Sequence, residues 1–386
     1  MCGILFTRSE TVTFAALHTH ETYMQRCIEL ARKGAGSVAP NPMVGAVLLY
    51  NNEIIGEGWH QRYGEAHAEV NCVSQAVQNG LTGKLQESTL YVSLEPCAHF
   101  GKTPPCSDLI IKHKIPKVVI GCRDPFKEVD GKGIEKLKAA GVEVVVDVLK
   151  DECIELNKRF FTFHQQQRPY VILKWAQTNN GVIGAPLNLP EGETLNSAHN
   201  RLLISNENTN RLVHQWRSEE AAILVGSKTA LLDDPQLTNR YWLSEKQPVR
   251  LVLDRQLQLP HSLKLFNGEA NTVVLNDVKQ TNEGTVQYEQ LSGNGSVVQQ
   301  VLEVLYQRKL NSVLVEGGAE LLQYFINDGL WDETRIITNN ELVVEAGVKA
   351  PTLQNELQTN EQQLGSDTIR WYINKYPDSK VPTPNS

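Results

Sequence analysis

The sequence predicts two α/β domains in tandem, and three observations carry that expectation. The chain has 386 residues, more than a single hydrophobic core commonly serves. Short aliphatic and β-branched runs alternate along it with amphipathic stretches of helical period, the pattern of largely parallel sheets covered on both faces. The alternation pauses at the polar stretch His164-Gln165-Gln166-Gln167, followed by Arg168-Pro169, and then restarts. Domains over 1–165 and 168–376 follow, with the Pro- and Ser-rich residues 377–386 as a disordered tail.

In the first half, Met24, Cys27, Ile28 and Ala31 at helical spacing predict a helix over 23–33. Residues 44–50 and 54–59 read as a hairpin turning at Asn51-Asn52. A helix over 66–78, a strand over 89–94, a short helix beginning near Cys106 and a strand over 117–122 come next. A helix over 134–140 is stopped by Gly141, and a strand over 142–148 leads into one helix over 151–163. In the second half, strands are expected at 170–175, 221–225, 249–254, 272–275, 312–315 and 334–338. Helices over 206–218, 296–309 and 319–328 separate them, and the polar, Gly-containing stretch 277–295 reads as a surface loop.

The formal net charge is -7 and no long Lys/Arg run is present, which argues against a nucleic-acid backbone as partner. No apolar run approaches the ~18 residues that span a bilayer, and residues 1–19 lack the pattern of a secretion signal. A cytoplasmic protein is expected, with no membrane partner and no role assigned to residues 1–19. All seven cysteines fall in the first 153 residues, and an odd count without a secretion signal argues against a disulfide framework. Cys27, Cys72, Cys122 and Cys153 read as small buried hydrophobes. Other thiols of the first half remain for chemistry.

His67-Ala68-Glu69, Glu95-Pro96-Cys97 and Pro104-Pro105-Cys106 supply that chemistry. One His and two Cys make a three-ligand zinc set with the fourth position left to water, as a catalytic site requires. Zinc lowers the pKa of bound water to ~7, and the resulting hydroxide attacks an amidine-like ring carbon. Glu69 is the expected proton shuttle. On a regular helix its side chain diverges from His67 by ~200°, which makes it a poor co-ligand, but at a helix N-terminus both reach one cavity. A His-x-Glu followed by Pro-Cys-x-x-Cys is the signature of zinc deaminases. Here Phe100 occupies the second Cys position, His99 precedes it, and the next thiol is Cys106. Spacing alone leaves both His99 and Cys106 open as the third ligand.

With His67-Ala68-Glu69 upstream and Pro40-Asn41-Pro42-Met43-Val44-Gly45-Ala46-Val47 before it, the run from Pro96 to Cys106 resembles the bifunctional deaminase/reductase family of riboflavin biosynthesis. The resemblance extends from about residue 21 to about residue 353. It implies a cytidine-deaminase-like α/β/α domain followed by a dihydrofolate-reductase-like α/β domain. It also implies zinc, one per chain, on His67, Cys97 and Cys106, with Glu69 as catalytic residue. Asn41 and His60 match pocket positions of the family; Asn41 suits a ring edge with its donor and acceptor, though a turn role between Pro40 and Pro42 is the ordinary alternative.

In the second half, Val315-Glu316-Gly317-Gly318-Ala319 joins a strand to a helix, a place where backbone N–H groups attract phosphate. A tight turn explains the glycines as well, and no G-x-G-x-x-G fingerprint is present. The stretches Lys174-Trp175-Ala176-Gln177, Arg217-Ser218-Glu219, Gly226-Ser227-Lys228-Thr229 and Asp233-Asp234-Pro235 resemble the family's NADPH-dependent reductase domain. The resemblance puts Ala176, Thr229, Asp233, Arg255, Gly318, Ala319, Glu320, Leu321 and Leu322 at cofactor positions. It puts Lys174, Arg217, Leu237, Arg240 and Glu316 at substrate positions. Arg217 and Arg240 stand at strand-to-loop junctions and a planar guanidinium suits a phosphate, so both are expected on the 5-phosphate, with a surface arginine paired to Glu219 or Asp234 as the ordinary alternative. The chemistry implied is deamination of 2,5-diamino-6-(5-phosphoribosylamino)pyrimidin-4(3H)-one and then reduction of the ribosyl group to ribityl. The partner is thus a small molecule, with a homo-oligomer left open.

This chain departs from the family at Asn180, within Thr178-Asn179-Asn180-Gly181, at Arg201 and Leu203, in the longer loop 185–200, and at Arg255, which suits a 2′-phosphate or the surface. Two other functions compete: a tRNA or nucleoside deaminase, disfavoured by the acidic charge and second domain, and a monofunctional deaminase carrying a nucleotide-binding or association domain.

Overall fold

The computed structural model describes residues 19–100, 104–126, 129–184, 202–244, 246–291 and 293–378. In the first half the elements run α1 (His20–Arg32), β1 (Gly45–Tyr50), β2 (Glu53–Trp59), α2 (Ala68–Gln78), β3 (Thr89–Leu94), α3 (Cys106–Lys112), β4 (Lys117–Cys122), α4 (Lys132–Ala139), β5 (Glu143–Val145), α5 (Lys150–Leu156) and α6 (Lys158–Gln165). The sheet order is β2-β1-β3-β4-β5. Side chains alternate along β1, so Ala46 and Leu48 pack on α2 through Cys72 and Val73, while Val47 and Leu49 meet α1 through Met24, Cys27 and Ile28. Cys27, Cys72, Cys122 and Cys153 are all buried in these cores, as expected.

Three expectations need correction here. The sheet is mixed: the hairpin makes β1 antiparallel to both β2 and β3, and only β3, β4 and β5 run parallel. The last strand is shorter than expected, Glu143–Val145. The helix expected over 151–163 is two, broken at Asn157, whose side chain accepts from the Met43 N–H at 2.8 Å and donates to the Met43 carbonyl at 2.9 Å. The backbone leaves helical geometry at this residue, with φ -109° and ψ 22°.

The second half follows as β6 (Tyr170–Thr178), β7 (Val182–Gly184), α7 (Glu207–Glu219), β8 (Ala222–Gly226), α8 (Ser227–Asp233), β9 (Val249–Leu253), β10 (Thr272–Asn276), β11 (Thr281–Glu283), β12 (Val286–Gln290), α9 (Val297–Gln307), β13 (Ser312–Val315), α10 (Ala319–Asn327), β14 (Glu333–Asn339), β15 (Val348–Lys349), β16 (Glu356–Leu364) and β17 (Asp367–Asn374). One ten-stranded sheet runs β11-β12-β10-β9-β8-β13-β6-β14-β17-β16. It is parallel from β12 to β14 and antiparallel at both ends. Val171 and Leu173 face α9 and α10, and Ile172 faces α7 through Val213 and Trp216. The stretch 277–295 is not simply a loop; it holds β11 and β12, which extend the sheet edge. The loop 185–200 and Arg201 lie outside the described residues, as do 1–18 and 379–386.

The chain passes between the halves just after α6. Arg168 is buried there, its guanidinium donating to both Asp332 oxygens at 2.7 and 2.8 Å. Arg159 forms a bidentate ion pair with the buried Glu220. Gly36 abuts α7 so closely that a Cβ on it would sit 2.4 Å from the Ser218 carbonyl oxygen. Among the described residues no helix is long and apolar enough to cross a membrane.

Candidate active sites

His67 caps the N-terminus of α2 in an extended backbone conformation. That placement frees its ring from helical geometry and points it toward α3. Cys97 follows β3, and Cys106 is the first residue of α3. The nitrogen and two sulfurs lie within 4.8 Å of one another. His67 Nδ1 is 3.6 Å from Cys97 Sγ and 3.3 Å from Cys106 Sγ. A zinc tetrahedron with ordinary Zn–N and Zn–S lengths has an N···S edge of ~3.6 Å, so these residues fit the ion. His99 is outside this group, and its Nδ1 is buried without a hydrogen-bond partner among the described residues.

The thiol chemistry fits as well. The Cys106 N–H, at the start of α3, donates to Cys97 Sγ at 3.3 Å, and donors at a helix start favour a thiolate. The Cys106 thiol and His67 together hold the Cys97 thiol down at about 4. Cys97 in turn raises the His67 pKa.

Cys97 is fixed from behind by Glu95, which the motif analysis left without a role. Its buried carboxylate accepts from the N–H groups of Gly131, Gly133 and Ile134 at 3.0, 2.9 and 3.2 Å, at the entrance to α4. Gly133 must be glycine for that approach: a Cβ there would stand 2.0 Å from the Pro96 carbonyl oxygen. The signal was a carboxylate directly before Pro-Cys; its partners lie some forty positions onward.

Glu69 sits in the first turn of α2, is 3% exposed, and its carboxyl meets the Cys106 thiol. Burial pushes its pKa up, as suits a group that must carry a proton. His60 donates from Nδ1 to the Ala66 carbonyl at 3.1 Å, so its Nε2 accepts from Asn41 Nδ2, also at 3.1 Å. Burial lowers the His60 pKa and keeps that tautomer neutral. The Asn41 oxygen takes no part in that bond, and the His60 and His67 rings stand 5.4 Å apart. Asn41, His60, His67, Glu69, Cys97 and Cys106 are therefore one neighbourhood.

The second half contains a cavity of about 1190 Å³ at the C-terminal ends of the parallel strands, where open α/β sheets bind ligands. Of the expected cofactor residues, Ala176, Thr229, Asp233, Arg255, Gly318, Ala319, Glu320 and Leu321 line it. Leu322 does not: it is fully buried in the core beneath α10, because the helical period turns the fourth residue inward. Gly317 has φ +104, a backbone conformation that favours glycine, and a Cβ on Gly318 would crowd Thr229 Oγ1 at 3.0 Å. Arg255 is exposed and pairs with Asp277 at 2.8 Å.

Lys174, Arg217, Leu237, Arg240 and Glu316 line the same cavity. Arg217 gives one edge of its guanidinium to Glu316, Nε and Nη2 each donating at 2.7 Å, and its Nη1 donates to the Thr238 carbonyl at 3.3 Å. Burial pushes the Glu316 carboxyl up, but Arg217 and Lys174 outweigh it and hold it at about 2. Arg240 makes its side-chain hydrogen bonds to Gln236 and Thr238, not to a carboxylate. His214 and Tyr241 also line the wall and were missed. For His214 the available signal was its place one turn before Arg217, on the same helix face. Asn180 is a turn residue whose side chain donates to the Val344 carbonyl at 2.8 Å, and Leu203 stands on the cavity rim, 73% exposed.

A His/Cys₂ site with a buried glutamate, joined to an α/β sheet with a large cavity at its strand ends, has the make-up of a zinc-dependent deaminase carrying a second, ligand-binding domain. Comparison with known proteins agrees with both halves. Residues 17–122 match the family model of the cytidine and deoxycytidylate deaminase zinc-binding region, and residues 169–369 match that of the RibD C-terminal domain. The riboflavin biosynthesis protein RibD of Aquifex aeolicus is 40% identical over 367 residues, covering 91% of this chain and 98% of that protein. RibD of Escherichia coli is 33% identical, covering 81% and 85%. A crystal structure of the diaminohydroxyphosphoribosylaminopyrimidine deaminase/5-amino-6-(5-phosphoribosylamino)uracil reductase from Thermotoga maritima superposes with a TM-score of 0.81 at 34% identity, covering 92% of this chain and 98% of that one. Acinetobacter baumannii RibD gives a TM-score of 0.80 at 31% identity, covering 92% and 99%. The chain belongs to the RibD family of bifunctional riboflavin-biosynthesis enzymes, with a zinc-binding deaminase domain and an NADPH-dependent reductase domain.

Proposed function

We propose that the chain hydrolyses the amino group from 2,5-diamino-6-(5-phosphoribosylamino)pyrimidin-4(3H)-one and then reduces the ribosyl group of the product to ribityl with NADPH. The observation that carries the first step is the convergence of His67, Cys97 and Cys106 within 4.8 Å beside the buried Glu69. Zinc held by those three residues supplies a Lewis acid and hydroxide at neutral pH. Glu69 accepts the proton of the attacking water and delivers it to the leaving nitrogen, so that water and the ring amine become a ring carbonyl and ammonia. Asn41, oriented by His60, reads the ring edge.

In the cavity, NADPH supplies the hydride. Thr229, Asp233, Gly318 and the start of α10 bind it, with Ala176 and Arg255 alongside, a reading supported by their common cavity. Arg240 takes the substrate phosphate, while Arg217 and Lys174, both drawn toward Glu316, shape the wall facing the ring-opened sugar. The deaminase unit spans 1–165 and the reductase unit begins at 168; the tail expected from 377 starts later, because Asp378 still accepts from the buried Arg168 Nε at 2.7 Å. Six unbridged cysteines among the described residues support a reducing, cytoplasmic setting.

The test is an assay that starts from the diaminopyrimidine phosphoribosyl substrate and scores ammonia and NADPH consumption separately. The proposal expects one equivalent of each. Ammonia without NADPH consumption would leave a monofunctional deaminase; neither would overturn the substrate assignment.

A further inference from the structure

We propose that His214 is a positioning residue of the reductase cavity, holding the turn that presents Arg240 and Tyr241 to the substrate. The inference rests on the reading of this cavity as the reductase site.

His214 and Arg217 stand one turn apart on α7, and both line the cavity. The His214 Nδ1 accepts the Arg240 backbone N–H at 2.9 Å, and its ring packs edge-on against Tyr241 with centroids 4.6 Å apart. Arg217 reaches the same turn, its Nη1 donating to the Thr238 carbonyl at 3.3 Å. Helix α7 thus grips the turn through two side chains.

The turn itself is braced internally. Asn239 bonds the N–H of Trp242 at 3.2 Å and its carbonyl at 2.9 Å. Gln247 bonds the N–H and carbonyl of Asn239 at 2.7 and 2.9 Å. A unit braced in this way moves as one piece, so what fixes it to α7 fixes Arg240 and Tyr241 in the cavity. An accepting Nδ1 requires the neutral imidazole with its proton on Nε2. Burial, with Arg217 and Arg240 alongside, holds the His214 pKa down at about 4, which preserves that acceptor at neutral pH.

Three substitutions separate this role from direct substrate contact. In His214→Asn the carboxamide oxygen falls near the position of Nδ1; in His214→Gln an amide nitrogen falls near Nε2; His214→Phe removes both. The reduction is measured with the deaminated, phosphorylated intermediate and NADPH. His214→Phe and His214→Gln should raise the KM for the intermediate about fivefold, the worth of one neutral hydrogen bond, with kcat and the KM for NADPH little changed. His214→Asn should stay near wild type. An unchanged Tm and an unchanged KM for NADPH report that the reductase half of each variant is folded, and ammonia release should not change.

Rescue by Gln but not Asn would overturn the inference and place Nε2 on the substrate. Wild-type values for His214→Phe would overturn it too, as would an equal loss of kcat and both KM values in all three variants. A wild-type enzyme that consumes no NADPH would instead overturn the reading of the cavity beneath it.

Discussion

At the zinc-binding end, three ligand atoms drawn from residues 67–106 lie within 4.8 Å of one another, whereas the reductase cavity draws its wall from Lys174 to Val348 and encloses about 1190 Å³. The first site is small and its groups are chosen by bond lengths, so each residue has a distinct task and few substitutes. The second is assembled from strand ends and helix starts across a wide sheet, and its charges are organised in pairs. The Arg217–Glu316 pair shows the contrast well: an arginine with acidic neighbours nearby in sequence is held in the wall by a glutamate 99 positions away. A compact site should fail abruptly when one group is lost. A distributed one should weaken by degrees.

The largest effect is expected from Cys106→Ser, which should lose both the metal and all measurable deamination, because a neutral hydroxyl does not replace a thiolate on zinc. Zinc content by atomic absorption checks it; full occupancy would make His99 or another group the third ligand. Glu69→Gln should keep zinc and lose ~10²–10⁴-fold in deamination, since an amide cannot ferry the proton. A variant retaining more than about a tenth of the rate would remove Glu69 from that role.

In the reductase half, Glu316→Gln leaves Arg217 buried without its carboxylate. Breaking a buried pair from one side costs ~3–5 kcal/mol, so a lower Tm and impaired reduction are expected, with zinc content intact. An unchanged Tm would show that the pair is not structural. Smallest, Arg240→Ala should weaken use of the phosphorylated intermediate about tenfold, as for a charge-assisted hydrogen bond, and barely alter use of the dephosphorylated sugar. Equal loss on both substrates would count against a phosphate contact.

The same contrast decides what was legible in the sequence. Strands such as Thr89–Leu94, Lys117–Cys122 and Ser312–Val315 are continuous apolar or β-branched runs in central positions, and their bounds were readable. β16 is exposed along nearly its whole length and carries no alternation to read. β12 shows a single buried side chain, Tyr288, and lies near a sheet edge. At the break, the Asn157 side chain bonds Met43, 114 positions earlier. No local pattern encodes that.

Among the site residues, His67, Glu69 and Cys97 stood out by motif, but spacing could not choose between His99 and Cys106; three-dimensional proximity groups Cys106 with the other two. The cofactor run through Leu322 was carried over by position, and the 3.6-residue period of α10 turns that one side chain into the core. His214 and Tyr241 were missed because they meet only when the turn after Thr238 folds back on α7.

The central claim is that one chain holds two chemically independent sites, of which only the first depends on zinc. It is tested most directly by stripping the metal from the full-length protein with a chelator and assaying both half-reactions. Ammonia release should disappear and return on adding zinc, while NADPH-dependent reduction of the deaminated intermediate should continue at its original rate. Ammonia release that survives complete removal of zinc, or reduction that falls in parallel with it, would contradict the account.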